Sequence, residues 1–391
     1  MKKSLTNIVF FPHSVNYGLA GTNRLQNIIY YLQKDNVNSI ANIALEDRSK
    51  VFDKGTTNAF LNNYKEIYYG PSVLTFIKHI FQTGWSLLKH KKRGLNNVIY
   101  FYGEVDIKNF FFVVWARLLG YKIIIDVVED LEAFTQFKSF KNRLKYQSAI
   151  FFRKRLDLFA HGFTVVSTHL QNKIATSFPD KPIFFFPVTI NKYLLQKEGI
   201  NDNQPLPVVF YSGSFNDKDG LPYLLEALHK IKKEGRIFKF ILSGKGSDTE
   251  MEKFWNLVTQ YALKEEVDYK GFLDRPEYIR ILTQEADILC MTRVNSAYAN
   301  AGFPFKLGEF LATGKPVIAS KVGDVPSYLS ENDAYLVEPE NSDQIKDALN
   351  SIFSNPQVAE RVGHNGKCAA MKYFDHENYA PALKKFIEEE I

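Results

Sequence analysis

The stretch GFPFKLGEFLATGKPVIAS, residues 302–320, decides the fold. Lys306 and Glu309 stand three apart, so they share one face near the start of a short helix. Ala312, Thr313 and Gly314 close that helix, Lys315-Pro316 prevents its continuation, and Val317 to Ala319 reads as a buried strand. A helix that ends in Thr-Gly and passes at once into an apolar strand is one αβ step of a doubly wound sheet. As a surface ion pair, Lys306 and Glu309 contribute at most about 1 kcal/mol. The alternative is that they are held in place for a ligand.

The same rhythm runs through both halves. In the first, Ile8 to Phe11, Val98 to Tyr102, Lys122 to Val128, Phe163 to Ser167 and Ile183 to Pro187 read as strands. Arg24 to Leu32, Phe110 to Leu119 and Leu170 to Ser177 read as helices. Apolar strands alternating with helices predict a parallel sheet covered on both faces. The polar, turn-rich segment from Ile200 to Pro207 reads as a linker. Beyond it come strands at Val208 to Gly213, Phe238 to Ser243, Val267 to Phe272, Asp287 to Thr292, Val317 to Ala319 and Ala334 to Val337. The expected organisation is residues 1–199, residues 200–372, and a terminal helix over 373–391.

Length and composition bound the function. A chain of 391 residues accommodates two cores, and 45% hydrophobic with 24% charged residues is a globular balance. Cys290 and Cys368 are too few for a disulfide framework or a zinc site, which suits a reducing cytoplasm. The short apolar run after Met1-Lys2-Lys3 reads as a first strand rather than a leader. No stretch reaches the roughly 18 apolar residues of a membrane span. No Ser-His-Asp order, HExxH, Walker loop or paired-Cys pattern occurs, and His13 and His161 are left without a role.

The net charge of +6 is unevenly placed. No acid lies between Glu66 and Glu104, where Lys78, Lys89, Lys91, Lys92 and Arg93 alternate with Phe76, Phe81, Trp85 and Leu88. A second acid-free interval, Glu132 to Asp157, mixes seven cations with Phe134, Phe137, Phe140, Phe151 and Phe152. Such segments are either solvated helix faces over a Phe-rich core or a surface for an anionic membrane. No nucleic-acid-binding motif accompanies them.

Several residues are placed for chemistry at strand ends. Gly213 and Ser214 end a strand, and a turn with Lys218 and Gly220 opens a helix at Leu221, which makes an anion cradle of backbone N–H groups. Lys245 and Arg293 lie just past two further strands. Gly302, before the Lys306 helix, permits a close backbone approach or a positive φ. In the first half, Gly21 and Arg24 follow the first strand, while Glu129 and Asp130 follow the strand ending near Val128. Ligands of open α/β sheets bind at such carboxyl edges. For Asp130, capping the next helix is the other reading.

The 302–320 stretch resembles the donor signature of retaining family-4-type glycosyltransferases of the GT-B fold, the glycosyl transferases group 1. That resemblance implies two Rossmann-like doubly wound α/β domains facing across a cleft. It also implies a final helix that returns to the N-terminal acceptor-side domain. Glu309 matches the Glu that holds the donor ribose, Lys306 is placed near the donor phosphates, and backbone groups at Gly302 and Phe303 lie by the sugar. The family's first Glu falls on Ala301, and its two cations fall on Ser214 and Asp219. Lys218, Lys245, Lys306 and Arg293 are therefore the candidate replacements. Gly21, Arg24 and Glu129 are placed on the acceptor side, with Glu129 or Asp130 taking the acceptor proton and Lys306 supporting the leaving diphosphate.

The implied activity is transfer of a sugar from a nucleotide-diphosphate sugar to an acceptor hydroxyl, without a metal or other cofactor. The acceptor would be a glycan or lipid-linked molecule at the inner membrane face, as in bacterial surface-polysaccharide or glycolipid assembly. A nucleotide-sugar epimerase or hydrolase, or a non-catalytic glycan- or partner-binding relative, is the alternative that Ala301, Ser214 and Asp219 motivate.

Overall fold

The computed structural model describes residues 6–11, 20–34, 39–47, 64–69, 72–133, 140–192, 195 and 206–391. The chain forms two compact α/β units, residues 1–187 with 379–391, and residues 188–378. The change of unit thus falls at Pro187 and again at Tyr379, where the sequence reading had 199 and 373. Most of the linker segment 200–207, and the loop from Asn16 to Gly18, lie outside the described residues.

Among the described residues the N-terminal unit holds seven parallel strands. They are β1 (Thr6–Phe11), β2 (Ser39–Asp47), β3 (Tyr64–Tyr69), β4 (Asn96–Tyr102), β5 (Lys122–Val127), β6 (Gly162–Val165) and β7 (Ile183–Phe185). Their order is β3-β2-β1-β4-β5-β6-β7, so the winding reverses between β1 and β4. Its helices are α1 (Ala20–Lys34), α2 (Val73–His90), α3 (Phe110–Leu118), α4 (Phe140–Arg153) and α5 (Thr168–Ser177). Every residue of β1 is buried, as a central strand covered on both faces requires. Leu25, Ile28, Ile29 and Leu32 of α1 recur at helical spacing and pack on Ile8, Phe10, Val98 and Tyr100.

The C-terminal unit repeats the plan, with six parallel strands among the described residues. They are β8 (Val208–Ser214), β9 (Lys239–Lys245), β10 (Val267–Tyr269), β11 (Ile288–Met291), β12 (Val317–Ser320) and β13 (Tyr335–Val337), ordered β10-β9-β8-β11-β12-β13. The helices are α6 (Leu221–Lys233), α7 (Asp248–Gln260), α8 (Arg275–Arg280), α9 (Ala297–Ala301), α10 (Phe305–Ala312), α11 (Val325–Tyr328), α12 (Ser342–Ser354) and α13 (Pro356–Tyr373), and α14 (His376–Lys385) starts in this unit and passes at Tyr379 into the N-terminal one. Leu221, Leu224, Leu225, Leu228 and Ile231 of α6 bury against Val209, Phe240 and Ile288. Leu383 of α14 and the following Phe386, Ile387 and Ile391 join the N-terminal core.

Strands β2 and β3 were not read from the sequence. Both sit on the outer side of β1, away from the run β4 to β7, and their sequences carry charged residues within the strand. Among the described residues, no helix is long and apolar enough to cross a membrane.

Gly220 shows how tightly a strand end is closed. It starts α6 with φ +64°, and a Cβ there would lie 1.7 Å from the Thr292 carbonyl oxygen. Gly220→Ala should therefore destabilise the protein by at least about 1–3 kcal/mol, read as a lower urea midpoint at unchanged slope. An unaltered midpoint would contradict this geometry.

Candidate donor and acceptor sites

In the C-terminal unit the polar groups gather at the carboxyl ends of β8 and β9. Ser212 and Ser243 are register partners on these neighbouring strands. Ser243 Oγ donates to Ser212 Oγ at 2.8 Å, and Lys306 Nζ from α10 donates to the same Ser212 oxygen at 2.5 Å. Burial lowers the Lys306 pKa from its usual 10.5 to about 8, although Glu309 and Asp219 pull it the other way. A half-buried ammonium held chiefly by a neutral hydroxyl is incompletely compensated, and an anion would complete it.

Glu309, 8% exposed, does not form a surface pair with Lys306. Its Oε1 lies 2.6 Å from Arg275 Nη2, and its Oε2 accepts from Tyr278 Oη at 3.0 Å. Both partners come from α8, which Asp274 caps by accepting from the Glu277 N–H at 2.9 Å. The Tyr278 ring lies 5.4 Å from the Arg275 guanidinium and 5.4 Å from Lys306 Nζ, so two cations and one carboxylate share it. The sequence reading missed Arg275, Tyr278, Ser212 and Ser243. The cap signal at Asp274 with a cation and a Tyr three apart was its one trace.

The loop after β8 is self-contained. Ser214 Oγ donates to Asp219, and Arg293 Nε stands 3.7 Å from the same carboxylate. Arg293 therefore offsets the acid at a position where the resemblance has a cation. Lys218 Nζ lies over the Tyr298 ring, 4.8 Å from its centre. Lys245 ends β9 and is exposed. Gly302 has φ −105°, a conformation open to any residue, so no positive φ explains it. The Phe303 ring is buried against Phe374 and Tyr328, which leaves only its backbone to face a ligand. Ala301 is fully buried.

In the N-terminal unit, Arg24 is the centre of a buried network. Its Nε and Nη2 donate to the two oxygens of Asp126 at 2.8 and 2.9 Å. Nη1 donates to the Pro187 carbonyl at 2.7 Å, and Nη2 also donates to that of Phe186 at 2.8 Å. Thr164 Oγ1 donates to Asp126 at 2.7 Å. Neither charged side chain is exposed. Burial disfavours the guanidinium charge, but Asp126 outweighs it and raises the Arg24 pKa. Arg24, expected to face an acceptor, thus spends its donors inside the sheet edge. Gly21 lets α1 pass the Tyr102 hydroxyl, which a Cβ would approach to 2.4 Å.

Glu129 and Asp130 follow β5 but differ. Glu129 is exposed, and its carbonyl accepts from Arg153 Nη2 at 2.8 Å. Asp130 is 5% exposed and accepts from Lys173 at 2.7 Å and from the Glu132 N–H at 3.1 Å. His169 Nε2 stands 3.0 Å from its other oxygen. Burial works against its charge, but the Lys173 and His169 bonds win and hold its pKa below the usual range. The sequence named neither Lys173 nor His169, because only the sheet brings α5 beside the end of β5. His161 accepts from the Ile123 N–H at 3.0 Å, and burial lowers its pKa to about 4, as a structural histidine.

Removing one partner of a buried, fully bonded ion pair leaves an uncompensated charge and costs about 3–5 kcal/mol. Arg24→Met should therefore lower unfolding stability by that amount. Urea denaturation checks this, and a loss below about 1 kcal/mol would show the pair to be dispensable.

Residues 194–368 match the family described as Glycosyl transferases group 1. The alpha-D-kanosaminyltransferase of Streptomyces kanamyceticus is 24% identical over 174 residues, 44% of this chain and 42% of that protein. The putative colanic acid biosynthesis glycosyltransferase WcaL of Escherichia coli K12 is 24% identical over 182 residues, 46% of this chain and 39% of its own. The match thus spans less than half the length of these relatives. Among solved structures, sucrose-phosphate synthase of Thermosynechococcus elongatus superposes with TM-score 0.75 at 17% identity, covering 97% of this chain and 98% of that one. Anabaena Alr3699/HepE in complex with UDP-glucose superposes with TM-score 0.70 at 14% identity, covering 97% and 99%. The chain has the GT-B fold, and its residues 194–368 are similar to the glycosyl transferases group 1 family.

Proposed function

We propose that the protein transfers a sugar from a nucleotide-diphosphate sugar to an acceptor hydroxyl. The observation that carries this is the incompletely compensated ammonium of Lys306, half-buried at the carboxyl ends of β8 and β9 beside Glu309. A leaving diphosphate gains charge as the glycosidic bond breaks, and a buried cation stabilises that charge more than water would. Lys306, with backbone N–H groups of the loop that follows Gly213 and Ser214 at the end of β8, would hold the diphosphate. Lys218, Lys245 and Arg293 stand at the carboxyl ends of β8, β9 and β11. Glu309 would accept from the ribose hydroxyls, with Arg275 and Tyr278 fixing its orientation.

On the N-terminal unit, Glu129 is the exposed carboxylate and would take the acceptor proton, while Asp130 is held by Lys173. The naming of WcaL for colanic acid biosynthesis supports a glycan or lipid-linked acceptor, handled in the cytoplasm at the inner membrane face. The UDP-glucose complex of the Anabaena protein supports a UDP-sugar as the first donor to test. Retention of anomeric configuration remains part of the proposal.

Thermal-shift titration of wild type, Lys306→Ala and Glu309→Ala with UDP, GDP, ADP, CDP and dTDP tests the donor site. One diphosphate should stabilise the wild type, and Lys306→Ala should weaken it about 10- to 100-fold, the size of one charge-assisted hydrogen bond. Equal shifts in all three proteins would remove both residues from the site.

The pH dependence has a definite sign. Lys306 loses its proton near pH 8 in the free protein, and a bound diphosphate favours the protonated form. Affinity should be flat below about pH 8 and fall above it, with Lys306→Arg shifting that fall to higher pH. Calorimetry in buffers of different ionisation enthalpy should also show proton uptake above pH 8. An affinity flat to pH 10 in the wild type would rule Lys306 out as the phosphate ligand.

A further inference from the structure

Helix α2 is amphipathic in the reverse sense. Its buried face is His79, Thr83, Gly84, Ser86 and Leu87, mostly small or polar groups. Gly84 meets the Trp115 ring so closely that a Cβ would stand 2.7 Å from it, so the helix is seated firmly by this face. Its large apolar side chains point outward instead. Leu74 is 80% exposed, Phe81 65%, Trp85 58% and Leu88 51%. With Ile77, which is also exposed, they lie at spacings of three and four, one continuous stripe along the helix. A solvated helix face over a Phe-rich core, the simpler reading of this segment, would have the opposite arrangement.

The charge beside the stripe selects its occupant. Lys78, Lys89, Lys92 and Arg93 are exposed, and no acid occurs from Ile67 to Gly103. Lys89 Nζ lies 5.2 Å from the Trp85 ring centre, at the border of the stripe. Two copies of this face would oppose like charges, whereas an anionic lipid surface complements them and takes up the apolar side chains. The face continues across the unit. Phe76 of α2 meets Phe111 of α3, Phe110 stacks on Phe152 of α4, and exposed Leu144 and Phe151 on α4 stand among Arg143, Lys145, Lys154 and Arg155.

We propose that α2 is the membrane-docking element of the protein, lying in the headgroup region of an anionic bilayer with Leu74, Ile77, Phe81, Trp85 and Leu88 inserted and Lys78, Lys89, Lys92 and Arg93 on the lipid phosphates. This specifies the surface behind the membrane-face acceptor proposed above. It stands independently of the donor chemistry, because it is read without any substrate.

Sedimentation of the full chain with phosphatidylcholine vesicles, and with vesicles containing about one quarter phosphatidylglycerol, tests it at low and high salt. Wild type should bind the anionic vesicles and not the neutral ones, less so at high salt. Combined Leu74→Ser, Phe81→Ser and Trp85→Ser should weaken binding at least about tenfold, as should combined Lys78→Glu, Lys89→Glu and Lys92→Glu. These side chains are exposed, so the melting temperature and nucleotide binding should change little. As a second readout that keeps the helix intact, wild-type Trp emission should shift to the blue on anionic vesicles, and Trp85→Phe should remove the shift while still binding. Wild type that ignores anionic vesicles at low salt would overturn the proposal, as would a Trp85→Phe protein that keeps the full shift. A wild-type dimer abolished by the Ser substitutions, seen by analytical ultracentrifugation, would overturn it in favour of a second copy on the stripe.

Discussion

The buried Arg24–Asp126 pair is the interaction on which the carboxyl edge of the N-terminal sheet depends. Asp126 ends β5, Arg24 comes from α1, and the remaining guanidinium hydrogens reach the carbonyls of Phe186 and Pro187. Thr164 on β6 completes the carboxylate shell. Arg24 thus ties the helix after β1 to β5 and to the segment after β7, on the far side of the reversal in winding, and Asp126 draws in β6 through Thr164. A charged pair in this setting contributes less net stability than its short distances suggest, since both groups lose water. Its effect is specificity, because α1 cannot slide or rotate without leaving a buried charge unmatched.

The C-terminal unit meets the same problem differently. At its carboxyl edge the carboxylate of Glu309 is matched by Arg275 and Tyr278, but Lys306 is matched by a hydroxyl relay, Ser212 and Ser243. The first unit has closed its electrostatic balance and the second has left one positive charge open. Two sheets wound alike over their first six strands therefore differ in electrostatics at equivalent edges: one carboxylate–guanidinium pair is bonded from within, and in the other a lysine is held chiefly by hydroxyls. Arg275 couples Glu309 to Lys306, since it pairs with the carboxylate while lowering the Lys306 pKa further.

Helix α2 breaks the usual rule that apolar residues face the sheet. Its Gly84 contact with Trp115 and its small inward residues allow close seating, so the outward stripe is not the product of a helix turned the wrong way. A pattern of apolar residues at helical spacing was visible in the sequence, yet it did not reveal which face was inside. That depends on α3, whose Trp115 ring needs a glycine opposite it.

By itself the sequence determined the class and the order of the elements. Runs such as Ile123–Ile125 and Phe240–Leu242 are buried on both faces only in a parallel sheet, and Gly-containing turns mark where each strand yields to a helix. It also located Lys306 and Glu309, because their spacing on a short helix is a local property. Tertiary structure alone decided who partners whom. Arg24 and Asp126 are separated by 102 residues and Lys306 and Ser212 by 94, and no local pattern encodes such pairings. The edge strands β2 and β3 escaped for a related reason: their mixed sequences become strands through hydrogen bonds to a neighbour, not through burial of an apolar run. Chain pattern is legible where one residue's neighbours along the sequence set its environment. It fails where the sheet brings together groups whose charges must balance across many tens of residues.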